Sequence, residues 1–228
     1  MLCLDVKGAP LPMNAPVPPS VSDAIRARRS LRHYSSRPVP PEQLGELLDL
    51  ALEAPSSWNY QSRSIVVVSD PQVRDGLVAA TGGQPQPREA PVTLVFVAES
   101  AAWEGDLDDI YAQARERGAW NEAFIASFQE GGQAFQRDLA ERGLLREYAV
   151  KDAMIAASFF MLAAAEAGLG TSPMNGWDEQ EVKKVIGVDD RDDLAVALVL
   201  AVGHPAEERV HPGRRPRERK VFHDRYGG

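Results

Sequence analysis

Apolar residues recur at helical spacing in several stretches of this chain. The first predicted helix covers residues 22–33, with Ser20 or Ser22 as its N-cap and with Ala24 and Ile25 facing inward. A second helix is predicted over residues 42–53. Further helices are predicted over residues 71–80, 152–167 and 178–186.

Runs of β-branched and other apolar residues predict buried strands over residues 64–68, 92–98 and 194–202. Helices and strands alternate along the chain, and this order favours an α/β or α+β sheet with helices packed on it. Because no linker or internal repeat interrupts the pattern, residues 20–228 are expected to form a single domain.

The predicted helix over residues 152–167 is apolar nearly all round. Such a helix is expected to be buried on all sides, in part by a subunit interface. Its unbroken apolar run, residues 153–165, is too short for a membrane span, which needs about 20 residues. The pattern therefore favours a soluble, cytoplasmic protein that does not enter a membrane.

Composition narrows the class of protein further. The chain has 228 residues, of which 44% are hydrophobic, and this is enough for a substantial core. The only cysteine is Cys3, so an intramolecular disulfide is excluded. Residues 1–19 contain five prolines and lack the basic start and apolar block of a secretory signal, so they are expected to form an irregular arm.

The net charge of −8 is unevenly distributed. Residues 26–37 hold five arginines and no acid, and residues 209–225 hold seven Lys or Arg against two acids. If these two basic segments meet in space, they form an anion site. The alternative is that each is a solvated basic face.

Several common catalytic motifs are missing from the sequence. The Gly168-Leu169-Gly170 segment follows a helix and has Pro173 where a dinucleotide-binding fingerprint needs glycine. No phosphate-binding GxxxxGK[ST] loop occurs, and the four histidines show no metal-ligand spacing. No metal is therefore predicted, and catalysis would require a bound organic cofactor.

Five segments, in order, resemble motifs of one family. They are Arg28-Arg29-Ser30-Leu31-Arg32, the Ala54–Gln61 segment APSSWNYQ, Gly82-Gly83-Gln84 with Ala90-Pro91-Val92, the Gly168–Trp177 segment GLGTSPMNGW, and Val202-Gly203-His204-Pro205 with Arg214-Arg215-Pro216. Together they resemble the nitroreductase family of FMN-dependent NAD(P)H oxidoreductases. The chain departs from the family pattern at Ser62 and Arg63, where Pro-Trp is usual, at Gly83, where Asn is common, and at Pro212, where Lys is frequent.

The resemblance implies an α+β fold, a three-layer α-β-α sandwich with a mixed, mainly antiparallel sheet, in a homodimer with two sites at its interface. It implies FMN, not FAD, as cofactor and NAD(P)H as co-substrate. The expected reaction is ping-pong hydride transfer to a small acceptor such as a nitroaromatic or a quinone.

The same resemblance assigns roles to particular residues. Arg28, Ser30 and Arg214 would bind the FMN phosphate, and Arg29 would be a further cofactor contact. Arg32 would stabilise negative charge on the reduced flavin. The turn Pro173-Met174-Asn175-Gly176 would lie against the flavin ring, with a backbone N–H of Asn175 or Gly176 at flavin N5. The remaining cofactor contacts would come from Gln84 and, reaching from the neighbouring subunit, from Pro55, Ser56, Ser57 and Asn59.

Residues 101–148 are expected to be a mostly helical lid that sets acceptor choice. Trp120 and Phe124 would stack on a planar acceptor, although these aromatics would also suit simple packing of the lid onto the body.

Other functions fit parts of the same sequence. Within the fold, a flavin-cleaving enzyme is disfavoured by Ser30, where that branch tends to carry Asp, and a reductive dehalogenase stays open. A flavin-binding protein without turnover also stays open. A nucleic-acid binder is disfavoured by the pI of 5.1 and by basic segments without interleaved aromatics.

Overall fold

The computed structural model describes residues 20–227, in which four strands form one antiparallel sheet. The strands are β1 (Arg63–Val68), β2 (Val92–Glu99), β3 (Gly170–Met174) and β4 (Leu194–Gly203), in the order β1-β2-β4-β3. A short parallel bridge joins Ser30 to Thr171 at the edge of the sheet. The predicted arm, residues 1–19, lies outside the described residues.

Eight α-helices surround the sheet in the described part of the chain. They are α1 (Val21–Ala27), α2 (Pro41–Leu52), α3 (Pro71–Ala80), α4 (Gln86–Glu89), α5 (Asp108–Glu116), α6 (Glu122–Glu141), α7 (Leu145–Glu166) and α8 (Glu179–Ile186). The predicted bounds of α3 are confirmed, and those of α2, α8 and the three predicted strands are correct to within one residue.

The side chains of β2 alternate between two hydrophobic cores. Leu94 and Phe96 point to the core beneath α2 and α7, where Phe96 packs edge-on against Phe160. Val95 and Val97 point to the opposite core, formed with α3 and α8. Because side chains of a strand alternate in direction, one apolar strand fills both cores. The expected α+β sandwich of three layers is confirmed.

Helix α1 is shorter than its sequence pattern predicts. Ser20 caps it through a reciprocal capping box with Asp23, as expected, but the helix ends at Ala27 because Arg28 is extended (φ −53°, ψ 129°). The next residues pair with β3 instead, and the Leu31 N–H donates to the Thr171 carbonyl over 3.0 Å. Ala24 is buried as predicted, but the prediction for Ile25 is wrong, since that residue is 56% exposed.

Helix α7 is longer than predicted and is buried on one side only. Its Ala153, Ala156 and Phe160 face the core, whereas Phe159 on the opposite side is 42% exposed. By length and composition alone this helix could cross a membrane, but its packing against the sheet is that of a core helix. The prediction that it is buried on all sides does not hold within a single chain.

The predicted lid is helical for most of its length. Residues 101–148 contain a 3₁₀ turn (Ala102–Glu104), α5, α6 and the first turn of α7. Sequence analysis missed β3, because glycine, serine and proline make the segment Gly170–Met174 resemble a turn.

Candidate functional site

The two basic segments of the sequence meet in the structure. The extended residues after α1 and the C-terminal tail enclose a cavity of about 240 Å³. Its lining includes Arg28, Arg29 and Ser30 from the first segment, and His211 and Arg214 from the tail. Of the two alternatives that the charge pattern left open, the structure shows the one in which the segments meet. Arg28, Arg29 and Arg214 are called the arginine cluster below.

The positive charge of the arginine cluster has no carboxylate partner within the described residues. No carboxylate among residues 20–227 lies within 4.0 Å of a cluster guanidinium. Burial, reinforced by Arg214 and Arg29, lowers the pKa of Arg28. Partial desolvation and the three cluster arginines lower the pKa of His211 as well. Several cations held together without a counterion fit a polyanionic group such as a phosphate.

The members of the cluster differ in how much of their hydrogen-bonding capacity is free. The Arg29 side chain folds back toward the end of α1, and its Nη1 donates to the carbonyls of Arg26 (2.6 Å), Ala27 (3.0 Å) and Arg28 (2.8 Å). Arg28 makes only a long contact, 3.5 Å, from Nη1 to the Ser30 hydroxyl. Arg28 and Ser30 are therefore more available to a ligand than Arg29, which mainly caps the C-terminal end of α1.

Glu207 fastens the first basic segment to the tail. Its Oε1 accepts hydrogen bonds from the N–H groups of Arg32 (2.6 Å) and His33 (3.1 Å), and its Oε2 pairs with Arg209 at 2.9 Å. These hydrogen bonds lower the pKa of Glu207, and the bond from the Arg32 N–H has the largest effect. The Arg32 side chain is exposed and does not line the cavity of the arginine cluster.

A second group of predicted residues meets at the far end of β3. The Gln84 Nε2 donates to the carbonyls of Asn175 (2.8 Å) and Thr81 (3.0 Å), so the Gly82-Gly83-Gln84 loop and the turn after β3 are in contact. Gly176 has a φ of 83°, a conformation that glycine adopts without strain. Met174 is 2% exposed and packs in the core, so only its backbone could reach a ligand.

Strand β3 connects the two groups. Ser30 pairs with Thr171 at its start, and Asn175 follows its end. At about 3.3 Å per residue, the two ends lie about 13 Å apart. An anion site and a polar backbone turn at opposite ends of one strand suit FMN, whose ribityl chain separates its phosphate from its ring.

The Pro55–Asn59 segment lies elsewhere in the chain, next to α6 and α7. The Ser57 N–H donates to the buried carboxylate of Asp152 over 2.9 Å, and the Ser56 hydroxyl accepts from the Gln61 N–H at the same distance. Pro55 and Asn59 line a cavity of about 380 Å³ that contains no residue of the arginine cluster. One chain does not bring the two groups into one pocket.

The aromatic residues of the predicted lid contact one another extensively. Trp120 lies 4.6 Å from Phe128 and 5.4 Å from Phe124, measured between ring centroids. Trp120 also lines the cavity with Pro55 and Asn59, whereas Phe124 does not and is 47% exposed. Trp58, in the left-handed region at φ 51°, stacks edge-on against Phe128 at 4.9 Å and attaches the loop to the lid.

Sequence analysis missed two residues that hold the site together. Asp152 and Glu207 each accept backbone N–H groups from segments that are far away in sequence. Asp152 stands out as an acid within an otherwise apolar helix pattern, and this signal could have identified it. No comparable signal marks Glu207, because the tail around it is already rich in charge.

The fold and site define an α+β protein that has the arginine cluster, a site for an anion, at one end of a strand and a polar turn at the other. The model of the nitroreductase family matches residues 25–204. The chain therefore belongs to the nitroreductase family of oxidoreductases, as the motifs predicted.

Related proteins agree with this assignment. A relative from Thermus thermophilus, named NADH dehydrogenase, is 35% identical over 202 residues, which cover 87% of this chain and 93% of that protein. A Bacillus subtilis relative named as an NAD(P)H-dependent FMN reductase is 27% identical over 199 residues, covering 87% of this chain and 71% of that protein.

A solved structure supports the fold. A protein of Exiguobacterium sibiricum, described as a nitroreductase in complex with FMN, aligns with a TM-score of 0.76 and 21% identity. The alignment covers 87% of this chain and 94% of that one.

Proposed function

We propose that this chain binds FMN and works as a homodimeric NAD(P)H oxidoreductase that reduces small acceptors such as nitroaromatics or quinones. The observation that carries the proposal is the uncompensated arginine cluster, joined by β3 to the Gln84–Asn175 contact. When bound, FMN supplies the redox chemistry, accepting hydride from NAD(P)H and delivering electrons to the acceptor.

At the phosphate end, Arg28 and Arg214 bind phosphate oxygens and Ser30 donates its hydroxyl. Arg29 adds charge, although its guanidinium is mainly bound to carbonyls of α1. Glu207 helps to hold this segment in place through its hydrogen bonds with the N–H groups of Arg32 and His33.

At the ring end, Pro173 to Gly176 form the surface on which the flavin lies. The Asn175 carbonyl is already occupied by Gln84, so the backbone N–H groups of Asn175 and Gly176 are the donors proposed for flavin N5. Gln84 fixes the turn through this contact. The proposed role of Arg32 is to stabilise negative charge on the ring, and its exposed side chain is free to swing toward a bound ligand.

The neighbouring subunit supplies the rest of the site in this proposal. Pro55, Ser56, Ser57 and Asn59 lie apart from the arginine cluster within one chain. A second copy can bring the same loop to the flavin, with the lid residues Trp120 and Phe124 above it. The acceptor would then bind between the flavin and the lid.

Two measurements on the purified protein test the proposal. Cofactor released by heat and separated by chromatography should be FMN, at one per subunit; FAD, or no flavin after reconstitution, would contradict it. NADH or NADPH should bleach the flavin absorbance without oxygen, and a quinone should restore it. A yellow protein that neither donor bleaches would be a flavin-binding protein without turnover.

A further inference from the structure

The cavity of about 380 Å³ between the Pro55–Asn59 loop and α5 has a second concentration of positive charge. Its volume lies within the range of about 300–1,000 Å³ that small-molecule sites occupy. Arg63 and Arg117 both line it. Neither residue belongs to the arginine cluster, and neither has a role in the FMN contacts proposed above.

Arg63 is buried, and much of its hydrogen-bonding capacity is unused. It is 6% exposed, and its Nη2 donates to the carbonyls of Leu52 (2.8 Å) and Ala54 (2.6 Å). Its Nε and Nη1 have no partner among residues 20–227. Burial lowers the pKa of Arg63 and Asp152 opposes this shift, but the two side chains form no ion pair within 4.0 Å in that part of the chain. Buried N–H groups without acceptors are costly, so they indicate a missing acceptor.

Arg117 places a second cation at the same cavity, at the C-terminal end of α5. Its side chain is exposed, and no carboxylate among residues 20–227 pairs with it. The acid in the lining is Glu53, which is exposed. Amide groups of Asn59 and Gln61 add donors, and Trp120 adds a flat apolar wall.

We propose that this cavity binds the carboxylate of an aromatic acceptor, whose ring lies against Trp120. Arginine suits carboxylate because its planar fork of N–H groups matches the two oxygens. The inference rests on the proposed function, because Pro55 and Asn59 line this cavity and are also proposed to contact the flavin. The inference adds to the proposed function a preference for anionic acceptors over neutral acceptors of the same shape.

The test compares 4-nitrobenzoate with 4-nitrobenzamide, which differ in charge at one substituent. We expect the FMN-loaded enzyme to have a lower KM for 4-nitrobenzoate. Arg117→Gln should raise that KM about ten- to hundredfold, the usual effect of losing a charge-assisted hydrogen bond, while the KM for 4-nitrobenzamide changes little. Arg115→Gln is the matched control, because Arg115 lies on the same helix but pairs with Glu122 at 2.5 Å and does not line the cavity.

Arg63→Met should produce the same selective loss, and Arg117→Gln decides the question if that buried substitution fails to fold. Equal KM changes for both acceptors, or no preference for 4-nitrobenzoate in the parent protein, would overturn the proposal. A selective rise in the KM for NADPH would also overturn it, since the site would then belong to the donor's phosphate.

Calorimetric titration with benzoate and benzamide separates this inference from the proposed function, because it needs no turnover. Benzoate binding that Arg117→Gln weakens supports the anion site, even if the protein proves to lack flavin chemistry. Benzoate that binds no more tightly than benzamide contradicts the site, even if the flavin is fully active.

Discussion

Arg28 and Arg214 come from opposite ends of the chain and face one cavity as like charges. Burial and the neighbouring Arg214 and Arg29 lower the pKa of Arg28, so the charged form of Arg28 is destabilised in the protein without ligand. An anion bound there removes the repulsion, and a ligand that binds only the folded state stabilises it. FMN should therefore raise the thermal stability of the protein as well as supply its chemistry.

Removing either arginine tests this arrangement. Arg28→Ala and Arg214→Ala should each weaken FMN binding about ten- to hundredfold, because a charge-assisted hydrogen bond contributes about 1.5–3 kcal/mol. Fluorescence titration of the apoprotein with FMN measures the change. Arg142→Ala is the control, since Arg142 pairs with Asp138 at the end of α6. Unchanged affinity in both cluster variants would mean that the phosphate binds elsewhere.

The carboxylate of Glu207 gives a pH prediction. Its hydrogen bond from the Arg32 N–H, with those from Arg209 and His33, lowers its pKa below the ordinary value of 4.5. A carboxyl group whose pKa is lower in the folded than in the unfolded state stabilises the folded state. This stabilisation is fully present above the pKa of the unfolded state and is lost as pH falls through the pKa of the folded state. The parent protein should therefore unfold at a higher temperature than Glu207→Gln at neutral pH, and the difference should shrink below about pH 4.5. A difference that stays constant down to pH 3 would exclude this role for the Glu207 charge.

Helices and strands with a clear local sequence pattern could be predicted, whereas elements whose bounds depend on pairing with distant residues could not. Helix α3 starts with the Asp70 cap and Pro71, and its bounds follow from sequence. The sequence pattern predicts that helix α1 continues to residue 33, but the pairing of Ser30 and Leu31 with Thr171 ends it at Ala27. The same long-range pairing makes Gly170–Met174 a strand despite its turn-like residues.

The aromatic residues of the proposed lid pack against one another, and Trp120 also lines a cavity, so substitutions can separate packing from pocket lining. Trp120→Ala should change the KM of different acceptors by different factors, because Trp120 lines the cavity beside Pro55 and Asn59. Phe124→Ala should have a weaker effect, since Phe124 lies outside that lining and only packs against Trp120, with ring centroids 5.4 Å apart. Steady-state kinetics with several acceptors, alongside flavin content, measures this. Equal losses for all acceptors together with a lower Tm would identify both as packing residues.

For the molecule as a whole, the alternation of apolar segments was enough to predict a sheet with helices on it. The site was less accessible to sequence reasoning. Charge alone left open whether the two basic segments meet, and the family resemblance predicted that they do. The Asp152 and Glu207 contacts depend on which distant backbone N–H groups the fold brings near them. Such contacts have no local sequence period, so no pattern along the chain predicts them.

One surface of the single chain exposes several large apolar side chains to solvent. Val21, Leu50 and Phe159, from α1, α2 and α7, are exposed around an apolar cavity of about 410 Å³. Apolar patches that join several elements in this way mark protein interfaces. This face includes the open side of α7, which was predicted to lie in a subunit interface. A second copy of the chain is the proposed partner, because the arginine cluster and the Pro55–Asn59 loop, both proposed to contact FMN, line separate cavities in one chain.

Phe159→Lys tests dimerisation and cofactor binding together. A charge placed in an apolar interface must lose its hydration, so the variant should dissociate at protein concentrations where the parent is dimeric. If the loop of the neighbouring subunit completes the site, FMN affinity should fall along with the dimer fraction. Light scattering over a dilution series, with flavin content measured on the same samples, follows both quantities. Gln72→Lys adds the same charge to the exposed surface of α3, on the other side of the sheet, and should change neither. An active, FMN-loaded monomer would show that one chain holds the complete site and would exclude the shared arrangement.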